Sequence, residues 1–138
     1  MKRIAHFCIA TSFVLPSAAI AALELKSSNC SEQCVVTVTV SGAGCGGGIS
    51  VSPEPLVFAG RGEKHIEWQI SPSSPWSFVA KRGIDINLKD KEFDDVDVKG
   101  GKKYKLKNKN TKAGTYKYDI NLTDGKNSCN LDPTIMNR

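Results

Sequence analysis

Beyond its first 21 residues the chain carries four cysteines, one histidine, an acidic run and a lysine run, and these are the side chains whose spacing could support chemistry. Cys30, Cys34, Cys45 and Cys129 are even in number, which in an exported domain reads as two disulfides with three possible connectivities. The preferred pairing is Cys45–Cys129, tying the entrance of an early strand to the exit of the last one. That bridge closes a loop of over 80 residues, and in the chain-entropy model it contributes about 4 kcal/mol. Cys30 and Cys34 then pair locally across Ser31-Glu32-Gln33. A structural zinc site needs four soft ligands in paired spacing. Cys-x3-Cys supplies half of that set, and Cys45 and Cys129 have no close companions.

A Ser–His–acid site would have to use His65 as its base, and no Gly-x-Ser-x-Gly elbow is present. The acidic run Asp90, Glu92, Asp94, Asp95 and Asp97 offers paired carboxylates for glycoside hydrolysis or oxygen ligands for Ca²⁺. It lacks the Asp-x-Asp-x-Asp-Gly register of a calcium loop and reads better as a solvated strand face. The expectation is therefore no catalytic residues, no metal and no cofactor, with a calcium-dependent or carboxylate-based module as the weakest alternative.

Seven lysines fall between Lys99 and Lys112, with Tyr104 among them. At strand period Lys103, Lys105 and Lys107 project together, opposite Tyr104 and Leu106. Such a face suits an anionic envelope component, a phospholipid surface or an acidic protein partner. The competing reading is protective, because lysines on an exposed edge strand block edge-to-edge aggregation. The acidic run partly neutralises the lysines if the two segments form a hairpin through Gly100-Gly101.

The elements that would position these residues are strands. The first 21 residues read as a signal peptide: Lys2 and Arg3, an apolar stretch from Ile4 to Leu15, Pro16, then Ala19-Ile20-Ala21 as the cleavage site. The apolar stretch is shorter than the roughly 20 residues a membrane span needs, and no second one follows. Removing Lys2 and Arg3 takes two from the formal charge of +5, a mild balance that does not imply nucleic acid. The expected location is periplasmic or secreted. Residues 22–33 read as a loose lead-in and residues 34–138 as one domain.

Within that domain Val36, Val38 and Val40 alternate with Thr37 and Thr39; Ile66, Trp68 and Ile70 alternate with Glu67 and Gln69. Trp76 and Phe78 share a face, as do Ile84, Ile86 and Leu88, and the last long strand runs through Tyr116, Tyr118, Ile120 and Leu122 to a turn at Asp124-Gly125. Pro53 and Pro55 force a bend or a sheet edge. No helical period is sustained. Seven or eight short strands between Gly/Pro/Ser/Asn turns indicate an all-β, antiparallel β-sandwich with Trp68, Trp76, Phe78 and Tyr118 in its core.

Two stretches resemble cupredoxins, the small copper-protein sandwiches. Gly62-Glu63-Lys64-His65-Ile66-Glu67-Trp68, continuing to Pro75-Trp76-Ser77-Phe78, resembles the turn, apolar strand and loop that deliver the first copper histidine. Gly114-Thr115-Tyr116-Lys117-Tyr118-Asp119-Ile120 resembles the strand that carries the copper cysteine. The resemblance covers roughly residues 50 to 125 and implies a cupredoxin-like Greek-key topology. Trp76 and Ile120 stand where ligands would fall, and a blue-copper site needs two histidines and a thiolate. The tail Leu131-Asp132-Pro133-Thr134-Ile135 resembles the ending of small exported bacterial proteins with a cupredoxin-like core and no assigned activity; in it Leu131 and Ile135 would dock while Asp132-Pro133 turns the chain. The expected function is a non-enzymatic exported binding or structural domain. The alternative is a small envelope inhibitor or partner-binding protein that uses the Ser71–Pro75 loop as a wedge.

Overall fold

Alternating valines and threonines build the first long strand, and the same period-2 logic accounts for most of the chain. The computed structural model describes residues 28–86, 91–99 and 101–138. The expected signal peptide, residues 22–27, Leu88, Asp90 and Gly100 lie outside the described residues. Twelve strands form among the described residues: β1 (Ser28–Cys30), β2 (Gln33–Val40), β3 (Ile49–Ser52), β4 (Leu56–Phe58), β5 (Lys64–Ile70), β6 (Ser77–Phe78), β7 (Ile84–Ile86), β8 (Phe93–Lys99), β9 (Lys103–Asn108), β10 (Gly114–Thr123), β11 (Ser128–Leu131) and β12 (Thr134–Asn137). The lead-in expected over 22–33 thus contains a strand from Ser28.

The strands divide into two sheets whose apolar faces share one core, a sandwich-like arrangement. One sheet runs β3-β2-β5-β9-β8; the other runs β1-β4-β12-β10-β11, with β6 and β7 also pairing β10. Both sheets are mixed, which corrects the antiparallel expectation. β2 pairs β5 in parallel, and β4 runs parallel to both β1 and β12. Parallel neighbours need a long crossover. Here residues 41–63 leave β2, add β3 to its outer edge, cross to the other sheet as β4 and return as β5.

The tail also departs from expectation. β11 and β12 lie along β10 in a single register, Ile120 facing Leu131 and Lys117 facing Thr134. Between them the Tyr118 N–H donates to the Pro133 carbonyl at 3.2 Å. Asp132-Pro133 therefore interrupts one long strand instead of turning the chain, because proline has no N–H to give the ladder. Ile135 is fully buried and Leu131 packs against the core, so the tail docks. The turn from β10 to β11 falls at Asp124-Gly125, where Asp124 Oδ1 accepts from the Lys126 and Asn127 N–H groups at 2.8 and 2.6 Å.

Trp68, Trp76, Phe78 and Tyr118 are all buried in the core, as their faces require. Trp68 on β5 and Tyr118 on β10 meet across the two sheets with ring centroids 5.3 Å apart, and Trp68 Nε1 donates to the Tyr118 hydroxyl at 3.2 Å. A second cross-sheet tie is polar. The buried carboxamides of Asn108 and Asn137 exchange hydrogen bonds of 2.7 and 3.2 Å, and the Asn110 N–H donates to Asn108 Oδ1 at 2.9 Å. Mutual satisfaction removes the desolvation cost that a single buried amide would carry.

Cys30 bonds Cys34 and Cys45 bonds Cys129, spanning 4 and 84 residues. The longer bridge joins a short 3-10 turn (Ala43–Cys45) after β2 to β11 of the opposite sheet. Among the described residues no helix is long and apolar enough to cross a membrane.

Candidate functional site

The outer face of the five-stranded sheet is where the sequence-expected lysines stand. β9 turns Tyr104, Leu106 and Asn108 inward, so Lys103, Lys105 and Lys107 project outward. Cross-strand register sets their neighbours: His65, Glu67 and Gln69 on β5 face Lys107, Lys105 and Lys103 in turn. On the far side of β5, Gln33, Val35 and Thr37 of β2 continue the same three rows. β8 then covers β9, placing Asp94 opposite Lys107 and Asp97 opposite Lys105.

One expectation changes here. β9 is an interior strand, not an edge, because β8 folds back through the expected hairpin and takes the outer position. A protective edge role therefore does not account for its lysines. His65 lies on the interior strand β5 with its side chain exposed.

Sequence reading missed Glu67 as the organising residue of this face. Its carboxylate accepts from Lys103 Nζ and Lys105 Nζ at 3.0 Å each and from the Gln69 amide, while its own side chain is only 8% exposed. The one available signal was its position between outward His65 and Gln69, with lysines to spare one strand away. The Lys105 bond, with help from Lys103 and Gln69, outweighs burial and holds the Glu67 carboxyl down to about 2 from its usual 4.5.

This folded value lies below the unfolded one, so the stabilisation is complete above about pH 4.5 and is lost as the pH falls toward 2. A difference of that size corresponds to about 3 kcal/mol. The two ammonium groups are 47% and 44% exposed, and solvent screening trims the contribution to about 1–2 kcal/mol. In urea unfolding compared at about pH 6 and pH 2.5, the wild type should lose that much more than Glu67→Gln. Identical losses would contradict the assignment.

The described side chains of the acidic run, Glu92, Asp94 and Asp97, take separate partners. Glu92 is buried and faces the 109–112 segment, accepting from the Thr111 N–H at 2.9 Å, the Thr111 hydroxyl and the Lys112 N–H at 3.3 Å. Burial pushes its carboxyl up, but those bonds prevail and hold it below the usual range. Asp94 pairs with Lys109 at 2.8 Å, and Asp97 lies opposite Lys105. Among the described residues no three His, Cys, Asp or Glu side chains are placed to hold a metal. Trp76 and Ile120, at the two positions the copper resemblance singles out, are both buried in the core cluster.

The Ser71–Pro75 loop is braced. The Ser74 N–H donates to the Ser71 carbonyl at 3.0 Å, the Trp76 N–H donates to Ser74 Oγ at 3.2 Å, and Lys102 Nζ donates to the carbonyls of Ser74, at 2.6 Å, and Trp76.

The fold class is thus an all-β protein of two mixed sheets held by two disulfides, a covalent feature that fits an oxidising compartment. No family model and no curated protein matches the chain.

Proposed function

We propose that this protein is an exported, non-enzymatic binding domain, periplasmic or secreted, built on a copper-free cupredoxin-like Greek-key sandwich. It engages an anionic envelope component or an acidic protein through Lys103, Lys105 and Lys107. One observation carries the reading: the three lysines share the outer face of an interior strand, where edge protection is not needed. The two buried Trp76 and Ile120 side chains support a scaffold in which the copper positions serve as core.

The test is capture on an immobilised acidic polymer. Binding should weaken as salt rises and the screening length falls from about 10 Å at 0.1 M to 3 Å at 1 M. Replacing Lys103, Lys105 and Lys107 by serine should lower capture by about tenfold or more. Glu67→Gln is included in that variant, so that no buried carboxylate is left unpaired. Undiminished capture by the variant would sink the proposal.

A second reading, a partner-binding or inhibitor protein, draws support from the Lys102 brace. It pre-organises the Ser71–Pro75 loop as a rigid wedge, which lowers the ordering cost of binding. A stable protein complex indifferent to salt would favour it.

A further inference from the structure

Besides Asp94 and Asp97 on β8, two carboxylates approach the lysine face from the β5 side, and they are held in opposite ways. Glu67 is sunk beneath Lys103 and Lys105 with 3.0 Å contacts and forms part of the fold. Glu63 stands just ahead of β5 with its side chain 52% exposed, and its two oxygens meet His65 Nε2 and Lys107 Nζ at 3.4 Å each. Charge-assisted hydrogen bonds normally close to about 2.7–2.9 Å. Exposed ion pairs of this kind stabilise a fold very little. Glu63 is therefore an exchangeable occupant of a place that already attracts an anion.

The two partners of Glu63, His65 and Lys107, also line a groove of about 370 Å³ on β2, β5 and β9, together with Gln33, Glu67 and Lys105. We infer that the groove is a binding site for a tetrahedral oxyanion, a phosphate group, and that Glu63 is the internal placeholder which the phosphate displaces from His65 and Lys107. This rests on reading the face as anion-binding and names the ligand chemistry.

The donor set favours phosphate over a second carboxylate. Each Glu63 oxygen serves one donor, which leaves Gln33 and Lys105 of the same groove unaddressed by it. Lys105 directs one contact at Glu67, but an ammonium has three N–H donors. Gln33 lies directly across from His65 in the β2–β5 register, and Lys107 lies across from His65 on the β9 side. Gln33, His65 and Lys107 form one cross-strand row with Lys105 in the next, and a ligand with non-coplanar oxygens can meet more of these donors than a planar carboxylate can. Glu67 accepts from Lys103, Lys105 and Gln69, and these donors offset its charge toward the incoming anion.

The experiment titrates inorganic phosphate into the disulfide-intact chain and follows the amide and imidazole signals by NMR. Saturable shifts should centre on residues 33, 65, 105 and 107, and Glu63→Gln should bind about three- to fivefold tighter, the exchange value of one exposed ion pair. His65→Ala and Lys107→Met should weaken binding. Non-saturating shifts spread over all the lysines, or a Glu63→Gln variant that binds no tighter, would overturn the inference.

A parallel arm uses phosphatidylglycerol vesicles. Retention on the vesicles, competed by inorganic phosphate, assigns the site to a headgroup. Phosphate binding without retention assigns it to a soluble phosphate. Acidic-polymer capture that needs the lysines but ignores Glu63→Gln removes this inference and leaves the proposed function standing. Capture that ignores the lysines removes both.

Discussion

The Cys45→Ala/Cys129→Ala variant is expected to lose about 4 kcal/mol of unfolding free energy relative to the disulfide-intact protein. The bridge closes 84 residues, so its removal frees most of the described chain in the unfolded ensemble. Its position adds to the effect, because it joins the 3-10 turn after β2 to β11 across the two sheets. Alanine is the appropriate replacement, since Cys129 is buried and a hydroxyl there would need a partner. The Cys30→Ala/Cys34→Ala variant provides the contrast. Its loop spans 4 residues, and the same relation assigns it about 2 kcal/mol. Small domains have about 5–15 kcal/mol in total, so the first variant should show a much lower denaturant midpoint, with a steeper denaturant dependence because its unfolded state is less compact. Equal losses from the two variants would show that loop length is not what the longer bridge contributes.

Trp68→Ala should cost about 3–5 kcal/mol, the range for truncating a fully buried large aromatic side chain. Trp68 is 0% exposed at the middle of β5 and fills the space between the sheets against the Tyr118 ring. Its indole N–H is also spent there, on the Tyr118 hydroxyl at 3.2 Å. Burial, only partly offset by that bond, pushes the Tyr118 phenol well above its usual range, so it remains a neutral acceptor at any pH the protein meets.

The two contributions separate in a double-mutant cycle. Tyr118→Phe keeps the ring and removes the acceptor, leaving a buried indole N–H without its partner at about 1–3 kcal/mol. Trp68→Phe keeps an aromatic ring and removes the donor. The double variant should be more stable than the sum of the single losses implies, because the second change removes a group the first left unsatisfied. Additive losses in chemical unfolding would mean that the hydrogen bond contributes nothing beyond packing.

Much of the architecture is legible along the chain. Where apolar and polar residues alternate strictly, as in Val36-Thr37-Val38-Thr39 and Tyr104-Lys105-Leu106-Lys107, the buried face follows from the pleat alone. The structure buries Val36, Val38, Tyr104 and Leu106 accordingly. The preferred cysteine pairing could be argued from loop closure, and the bonded pairs follow it. Period-2 reading failed where one element is divided or interrupted. β11 and β12 share one register around Pro133, and β6 and β7 share β10 around a short excursion whose ends bond the two backbone polar groups of Asn121.

The candidate site divides along the same line. Period 2 alone brought Lys103, Lys105 and Lys107 to one face, because side-chain direction on a strand is a local property. Only the tertiary structure decided that β9 lies inside its sheet, that β2 runs parallel to β5, and that Glu67 sits beneath two of those lysines. Strand neighbours and their direction depend on contacts between residues far apart in sequence, and alternation along a single strand carries no information about them. The residues that could bind an anion were therefore visible in the sequence, whereas the carboxylates that hold or occupy their places were not.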